Sequence, residues 1–548
     1  MTPVAYSFSA LFLPIPDALE WKKGRIIKSE WSVLQKIQYR AGKILYFLGN
    51  VALLPLVTTM NLASRILERF NPAGTKIIKT PYPADLATAL PPYFGFADSF
   101  LQSSGLGTWA SATALKGRSD WSPWLKPEHI EGPKTYRECF VEILKNPAPF
   151  IEVLKKLNVT AHRFSLEWAV IEPEPGKLDA EAIYLYRNFI QELKNGGIEP
   201  YVTLHHFVQP EWAGDFEQLE NIDPFVSYSI KMMELFPEVK EWMTFNEPGV
   251  YALQSRIRGV FPPGKQGDFS GAAHVIRNML IAHCKIYNEA KLRFGDKVQI
   301  GITHQWLNFE PMEGNALERI VCYFYAKITH YCVYNFFKTG RFDFDIPLKA
   351  NVQFSISEKE FAKNNQFLDF IGVQFYGYPR IKAGFNGGEK YPGYKTVNFP
   401  IGQTGVTFGS TCPKGGKVTS FGLSFYPESL QSCLTEAAAL KKPIAITETG
   451  CDARVQKWGD QEFRIDNETQ KEYFLKIAPI LHRFKDQIKA FFVWTLYRGH
   501  LEWDRGQYPA LGVVKLTKDK DRNITGFETT PASLYLQKSF QTAQAQMA

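Results

Sequence analysis

The chain has 548 residues and a formal net charge of +8 at pH 7, with 63 Lys and Arg against 55 Asp and Glu. Its hydrophobic content of 45% and charged content of 22% indicate a soluble globular protein and exclude a disordered one. The basic residues are scattered and form no long run, which argues against a nucleic-acid-binding protein. Aromatic residues are unusually frequent at 14%, a share that suits a large core and walls on which sugars stack.

The chain contains seven cysteines, and none of them forms a close pair with metal-ligand spacing. This pattern predicts free thiols in a reducing compartment, with neither a disulfide framework nor a structural zinc. Residues 1–16 lack a basic start before their apolar stretch, which argues against a secretory signal. We therefore expect a cytoplasmic protein that uses no metal and no cofactor.

Residues 1–90 differ in composition from the rest and are predicted to be a mainly helical N-terminal extension. The segment 44–60 is strongly apolar, but it is slightly shorter than the ~20 residues that span a bilayer and contains Asn50 and Pro55. A helical hairpin packed on the following domain, or peripheral membrane contact through residues 44–60, is favoured over a membrane span.

From residue 91 onward the pattern of strand, loop and helix repeats to the end of the chain. Eight strands separated by helical segments predict an α/β fold, a closed (β/α)8 barrel with long βα loops, as one domain over residues 91–548. A doubly wound open sheet lacks support, because no Gly-x-Gly-x-x-Gly turn follows the first strand. The predicted strands cover residues 93–97, 159–168, 199–206, 241–246, 298–303, 367–376, 442–447 and 490–496, and the clearest helices cover residues 150–157, 180–195, 224–235 and 272–294.

The fourth predicted strand ends in an amide and a carboxylate, Asn246 and Glu247, followed by Pro248 and Gly249. Proline cannot donate to a strand ladder and glycine relaxes the backbone, so the strand must stop here. In a parallel barrel this edge is where ligands bind. The alternative is that Asn246 caps the next helix and Glu247 is an acid in its first turn.

The seventh strand ends in the same way, at Glu448. In a barrel the fourth and seventh strands face each other across the mouth, so Glu247 and Glu448 can approach one another. Two carboxylates across a cleft are what glycoside hydrolysis requires: one is protonated for the leaving oxygen and the other is ionised for attack. This second carboxylate favours the catalytic interpretation of Glu247 over the helix cap.

At this point the chain resembles glycoside hydrolase family 1, the retaining β-glycosidases. Thr-Phe-Asn-Glu-Pro at 244–248 resembles the acid/base motif of that family, and Ile-Thr-Glu-Thr-Gly at 446–450 resembles its nucleophile motif. Further motifs follow in the family's order over residues 93–514. The resemblance implies sugar-binding roles for Gln102, His206, Asn246, Trp494, Glu502 and Trp503, and catalytic roles for Glu247, Glu448, Arg163 and Tyr376.

The resemblance implies that Glu448 is the nucleophile and Glu247 the acid and base. Arg163 beside Glu448 would lower the pKa of that carboxyl, and the negative Glu448 would raise the pKa of Glu247. Tyr376 can donate a hydrogen bond to Glu448. The carboxyl separation is expected to be about 5–5.5 Å, the retaining distance. An anionic Glu502 would repel a 6-phosphate, which favours a neutral hexose.

The chain departs from the family pattern at several positions around the expected sugar. Gln374 and Thr449 replace asparagines, whereas Phe207 and Leu423 replace tryptophans. The loop that follows the eighth strand is longer and more basic than usual, and Arg498 and Arg505 leave an acidic or phosphorylated aglycone as an open alternative. Both catalytic glutamates are present, so we expect these changes to alter the substrate preference and the geometry of the sugar site.

The sequence thus predicts a retaining β-glycosidase that hydrolyses the terminal β-linked neutral hexose of a β-glucoside-like substrate. One alternative is a transglycosidase that passes the glycosyl group to a sugar or lipid acceptor. A second is a catalytically weak sugar-binding barrel, for which the departures from the family pattern are the argument. The motifs leave the sugar, the aglycone and the oligomeric state open.

Overall fold

A computed structural model describes residues 85–106, 118–124, 140–307, 309–311, 316–377, 380–383, 398–400, 406–409, 417–420, 425–457, 463–499 and 510–547. The expected extension, including the apolar segment 44–60, lies almost wholly outside these ranges. So do Leu423, Glu502 and Trp503.

Eight parallel strands close into a barrel. The predicted barrel is therefore confirmed, and each predicted strand overlaps an observed one. The strands are β1 Tyr93–Ala97, β2 Ala161–Ser165, β3 Glu199–His205, β4 Glu241–Asn246, β5 Gln299–Gln305, β6 Phe370–Phe375, β7 Ile444–Thr449 and β8 Ile488–Val493. Around the ring they follow the order β1-β8-β7-β6-β5-β4-β3-β2.

Helices connect the strands and cover the outside of the barrel. The helix Ala180–Asn195 illustrates why they form: the Asp179 side chain accepts a hydrogen bond from the Ala182 amide, and the helix buries one apolar stripe. Two π-helical segments, Leu253–Arg258 and Lys327–Tyr331, interrupt this pattern. The α-helices are Phe100–Ser104, Pro147–Lys156, Trp168–Ile171, Ala180–Asn195, Ile222–Leu235, Pro248–Ala252, Phe269–Phe294, Ala316–Ala326, Cys332–Thr339, Glu358–Lys363, Leu430–Ala438, Asn467–Arg483 and Pro531–Met547.

Shorter strands are inserted between and after the barrel strands. They form two antiparallel hairpins and two small sheets. The hairpins pair Arg341–Ile346 with Ala350–Ser355 and Val514–Lys518 with Ile524–Thr529. The sheets contain Glu310–Pro311, Arg380–Ala383, Asn398–Pro400 and Val406–Gly409 in one case, and Lys417–Thr419, Arg454–Lys457 and Arg464–Ile465 in the other.

The barrel interior is a packed core. Tyr201 and Phe492 fill its centre with ring centroids 4.9 Å apart, and small residues on other strands make room for them. At the amino-terminal end of the strands, Lys489 Nζ lies 2.6 Å from Glu241 Oε2 and 4.6 Å from the centroid of the Phe370 ring. These contacts fill the barrel interior at the amino-terminal end of the strands. The polar end that remains open is therefore the one at the carboxyl ends of the strands.

The five described cysteines are buried free thiols, whereas Cys139 and Cys412 lie outside the described ranges. Burial raises the pKa of Cys284, Cys332 and Cys451. Among the described helices, none is both long enough and apolar enough to cross a membrane.

Candidate active site

Glu247 follows directly on β4, and its backbone is strained. Its φ of 45° and ψ of 65° lie in the left-handed region, and its side chain is buried, with 6% of the residue exposed. The Glu247 amide donates a 2.9 Å hydrogen bond to the Thr303 carbonyl of β5. A non-glycine residue in this region costs on the order of 1–3 kcal/mol and persists where its surroundings hold it.

The helix Pro248–Ala252 follows Glu247 directly, and no side chain caps it. Glu247 occupies the N-cap position without a side-chain capping bond, and the Asn246 side chain is directed to Arg163 instead. The helix-cap alternative for these two residues is therefore wrong. The side chains of Asn246 and Glu247 therefore have a role at the barrel mouth other than helix capping.

Gly249 allows the helix that carries Glu247 to lie against the π-helical segment Lys327–Tyr331. A Cβ added at Gly249 would come within 2.0 Å of the Thr329 carbonyl oxygen. Backbone cannot give way at that distance, so this close approach requires glycine. Together with the bond to Thr303, it fixes the turn on which Glu247 sits.

Glu448 lies on β7, and both of its carboxylate oxygens are held by buried side chains. Arg163 Nη1 is 2.5 Å from Glu448 Oε1, and Tyr376 Oη donates to Glu448 Oε2, also at 2.5 Å. Charge-assisted bonds of this kind are short and strong. They fix the orientation of the carboxylate and stabilise its ionised form.

The Arg163 guanidinium is fully buried and finds an acceptor for each of its three nitrogens. Nη2 donates to Asn246 Oδ1 at 2.7 Å, and Nε donates to Thr203 Oγ1 at 3.1 Å. Nη1 reaches the Thr447 carbonyl at 3.3 Å in addition to Glu448. A buried ion pair is costly unless its remaining donors are satisfied, and these contacts provide acceptors for four of the five guanidinium N–H groups of Arg163.

The strands that carry the two glutamates lose regular pairing next to them. The β4–β5 register shifts between Met243 and Asn246, and the β6–β7 register shifts between Ile446 and Glu448. Irregularities of this kind re-aim side chains next to active sites. At the strand ends that carry Glu247 and Glu448, side chains therefore depart from the regular alternation between the two faces of a strand.

Gln374 on β6 joins the same network, a role that the sequence did not reveal. Its Nε2 donates to Asn246 Oδ1 at 2.8 Å. In the sequence, Gln374 stands out only as a departure from the family pattern. The one available signal was its position, two residues before Tyr376 on the same strand face.

Three other predicted sugar-binding residues follow strand ends. Gln102 lies in the short helix after β1 and is 2% exposed. The structure brings His206 and Trp494 together, with nearly parallel rings and centroids 5.8 Å apart. Glu502 and Trp503 belong to the undescribed segment 500–509, so the structure does not bear on them.

The other departures from the family pattern that the structure describes have hydrogen-bond partners of their own. Thr449 Oγ1 donates to the Phe375 carbonyl at 2.8 Å and lies 2.6 Å from Tyr473 Oη. The Phe207 carbonyl accepts a 2.8 Å bond from Trp121 Nε1. Arg498 is half-buried, and its Nη2 donates to Asn467 Oδ1 at 2.5 Å, so this arginine is held by a contact within the chain.

A buried carboxyl, Glu167, supports the segment that carries Gln102. Glu167 Oε1 accepts bonds from Ser165 Oγ at 2.7 Å and from the Leu101 amide at 3.2 Å. Burial raises the pKa of Glu167 to about 7. The sequence motif contained this residue but gave no indication of its contacts.

A parallel barrel with two buried glutamates at strand ends, one of them ion-paired to a buried arginine, has the architecture of a glycosidase. Comparison with known families agrees. Residues 94–526 match the model of glycosyl hydrolase family 1. The chain belongs to this family, and it is a glycosyl hydrolase that acts on β-glycosides.

Relatives of the chain include enzymes with two kinds of substrate in their names. The 6-phospho-beta-galactosidase of Clostridium acetobutylicum is 26% identical over 450 residues, which cover 77% of this chain and 90% of the relative. Beta-glucosidase 24 of Oryza sativa subsp. japonica is 26% identical over 481 residues, which cover 80% of this chain and 90% of the relative.

Solved structures share the fold. A beta-glucosidase from Exiguobacterium marinum superposes with a TM-score of 0.66 at 20% identity and covers 83% of this chain and 99% of its own. A beta-glycosidase from Pyrococcus horikoshii gives a TM-score of 0.59 at 22% identity, with 84% and 96% covered.

Proposed function

We propose that the chain is a retaining β-glycosidase that releases a terminal, β-linked neutral hexose from a β-glucoside-like substrate. Glu448 is the nucleophile and Glu247 the acid and base. The observation that carries the proposal is the environment of Glu448: Arg163 Nη1 and Tyr376 Oη each lie 2.5 Å from one of its oxygens. A guanidinium and a phenol donor both favour the ionised form of a carboxylate and fix its orientation, as a nucleophile requires.

In the first step a Glu448 oxygen attacks the anomeric carbon of the sugar. A C–O ester bond forms while the bond from that carbon to the leaving oxygen breaks, and Glu247 gives its proton to the leaving oxygen. The products are a glycosyl ester on Glu448, the free aglycone and an ionised Glu247.

In the second step water attacks the same carbon. Glu247 takes a proton from the water as the new C–O bond forms, and the ester bond to Glu448 breaks with its electron pair returning to the carboxylate. Each step inverts the anomeric centre, so the released sugar keeps the configuration of the substrate. Loss of the charge on Glu448 in the ester allows Glu247 to change from acid to base.

Two arguments favour a neutral hexose over a 6-phosphorylated one. The sequence resemblance assigns Glu502 to the sugar-gripping loop, where a carboxylate would repel a phosphate. In addition, Arg498 donates through Nη2 to Asn467 and through Nε to the Gly512 carbonyl, at 2.5 and 3.3 Å, so a phosphate that took these donors would have to displace both contacts. Turnover of an aryl β-glucoside against an aryl β-galactoside 6-phosphate tests the choice, and a preference for the phosphorylated substrate would overturn it.

The catalytic assignment is tested by turnover of aryl β-glycosides by the wild type, Glu448→Gly and Glu247→Ala. We expect an active wild type, a nearly inactive Glu448→Gly, and a Glu247→Ala whose rate on substrates with good leaving groups is restored by azide. Glu220→Ala is the matched control, because Glu220 is an exposed glutamate in the short helix Leu219–Asn221. Unchanged rates in either active-site variant would refute the assignment.

A further inference from the structure

The turn that carries Glu247 is held by two segments from different parts of the chain. The Thr303 carbonyl of β5 accepts a 2.9 Å hydrogen bond from the Glu247 amide, and the Thr329 carbonyl of the π-helical segment Lys327–Tyr331 lies against Gly249. The left-handed backbone of Glu247 is unfavourable in itself, so it depends on these surroundings. A movement of one segment relative to the other would therefore alter the position of Glu247.

Each of the two supporting threonines is followed by a buried histidine, and the two histidines contact each other. His304 Nε2 and His330 Nδ1 are 2.9 Å apart, which is a hydrogen-bond distance. His304 is 1% exposed and His330 is 0% exposed, so the contact is shielded from water. The pair joins the end of β5 to the π-helical segment directly beside the two carbonyl groups that support Glu247.

A carboxyl group from a third element holds His330 from the other side. Glu436 lies on the helix Leu430–Ala438, and its Oε2 is 3.0 Å from His330 Nε2. The same oxygen accepts a 3.0 Å hydrogen bond from Trp306 Nε1. Trp306 follows β5, so Glu436 binds both the strand side and the π-helical side of the histidine pair.

The hydrogen bonds run in one direction from His304 to Glu436. Because a carboxylate only accepts, the proton between His330 and Glu436 lies on His330 Nε2. Burial, and after it the nearby His330, lowers the pKa of His304 well below its usual range, so His304 is neutral and has a single N–H. With that N–H on Nε2, His304 donates to His330 Nδ1, and each ring nitrogen between β5 and Glu436 has a partner.

We propose that His330 is a positioning residue for Glu247, the acid and base. With His304 and Glu436 it locks the π-helical segment against the end of β5. The effect reaches Glu247 through the two threonine carbonyl groups, which keep its carboxyl where it can give a proton to the leaving oxygen. The inference rests on the proposed function, since it takes Glu247 to be the acid and base.

The test compares His330→Phe with the wild type on two β-glucosides that differ in their leaving group. Dinitrophenolate departs without help from a general acid, whereas the phenolate of a phenyl β-glucoside needs the proton of Glu247. Phenylalanine keeps a planar ring and removes both hydrogen bonds of His330. We expect kcat/KM to fall at least about tenfold on the phenyl substrate and less than about twofold on the dinitrophenyl substrate.

The ratio of the two kcat/KM values separates positioning from mere stability. Both values are measured on the same preparation, so the ratio does not depend on how much of the enzyme is folded. A purely structural role of His330 would lower both values by one factor and leave the ratio at its wild-type value.

Two further variants sharpen the result. Glu436→Leu removes the carboxylate that holds His330, at a side chain that is 28% exposed, and should shift the ratio in the same direction. It decides the question if His330→Phe does not fold. His482→Phe, at an exposed histidine of the helix Asn467–Arg483, is the matched control and should keep the wild-type ratio.

An equal loss on both substrates, or no loss on either, would overturn the positioning role of His330. Glu247→Ala distinguishes that outcome from failure of the proposed function. Glu247→Ala should itself lose far more kcat/KM on the phenyl substrate than on the dinitrophenyl substrate. If it loses the same factor on both, Glu247 is not the acid and the proposed function fails.

Discussion

Arg163 connects the ends of four strands through one side chain. It bonds Glu448 on β7, Asn246 on β4 and Thr203 on β3, and it lies itself on β2. A single guanidinium therefore orients the proposed nucleophile and the residue that precedes the proposed acid. Its planar, always charged fork suits this role in a way that a lysine cannot reproduce.

Tyr376→Phe should weaken catalysis without disturbing the fold. The substitution removes the 2.5 Å hydrogen bond to Glu448 Oε2 and keeps the ring. A hydrogen bond to a charged group contributes about 1.5–3 kcal/mol, so kcat/KM on an aryl β-glucoside should fall roughly ten- to a hundredfold. Tyr184→Phe, at a residue that is 66% exposed, is the control. An unchanged kcat/KM in Tyr376→Phe would remove Tyr376 from the catalytic group.

Glu167→Gln should change how stability depends on pH. Burial raises the pKa of Glu167 to about 7 in the folded chain, above the ordinary value of 4.5. Between pH 4.5 and about 7 the folded state therefore keeps a proton on Glu167 that the unfolded state has lost. The free energy of unfolding falls as the pH rises through this range. Glutamine mimics the protonated carboxyl and keeps an acceptor for the Leu101 amide, so it removes this loss.

Unfolding in urea at pH 5, 6, 7 and 8 measures this effect. The free energy of unfolding of Glu167→Gln, relative to that of the wild type, should increase by on the order of 3 kcal/mol from pH 5 to pH 8. Glu220→Gln, at an exposed position, should run parallel to the wild type. A constant difference between Glu167→Gln and wild type at every pH would contradict the raised pKa.

At the scale of the elements, the helix Ala180–Asn195 was predicted with its observed bounds, because Asp179 and the glycine pair at 196–197 mark its ends. The second strand was predicted too long, at 159–168 instead of Ala161–Ser165. The polar Glu167 and the apolar residues after it continue the pattern, but they enter the short helix Trp168–Ile171. Local periodicity does not distinguish these two outcomes.

Gly249→Ala should displace the helix Pro248–Ala252 and with it Glu247. The added methyl carbon would meet the Thr329 carbonyl oxygen at 2.0 Å, so the backbone of one of the two segments must shift. We expect a lower free energy of unfolding and a kcat loss of at least about tenfold, because small displacements of catalytic groups are costly. Gly526→Ala is the control, since its Cβ would meet only the Thr517 hydroxyl, at 2.9 Å. Wild-type kcat in Gly249→Ala would show that the close approach does not position Glu247.

At the scale of the whole molecule, the repeating order of strands and helices was enough to predict a closed parallel barrel. The contacts within the site were harder to predict. Arg163 and Glu448 are 285 positions apart, and Asn246 and Gln374 are 128 apart. The first pair was anticipated through the resemblance to a family. The second pair involves a residue that departs from that family, and only the three-dimensional structure revealed it.

The barrel does not by itself decide the chemistry, since the same architecture supports many reactions. What defines this molecule is the asymmetry between its two glutamates. Glu448 is bound by a positive guanidinium and a phenol, whereas Glu247 sits on a strained turn after β4. This asymmetry is the basis for separate roles as nucleophile and as acid and base.

The central claim is double displacement through Glu448, and the configuration of the first sugar released tests it most directly. Proton NMR of an aryl β-glucoside mixed with the wild-type enzyme resolves the anomeric proton before mutarotation mixes the two anomers. The account predicts that the β-anomer appears first and the α-anomer grows in later. Initial release of the α-anomer would mean a single inverting displacement and would contradict the role of Glu448 as nucleophile.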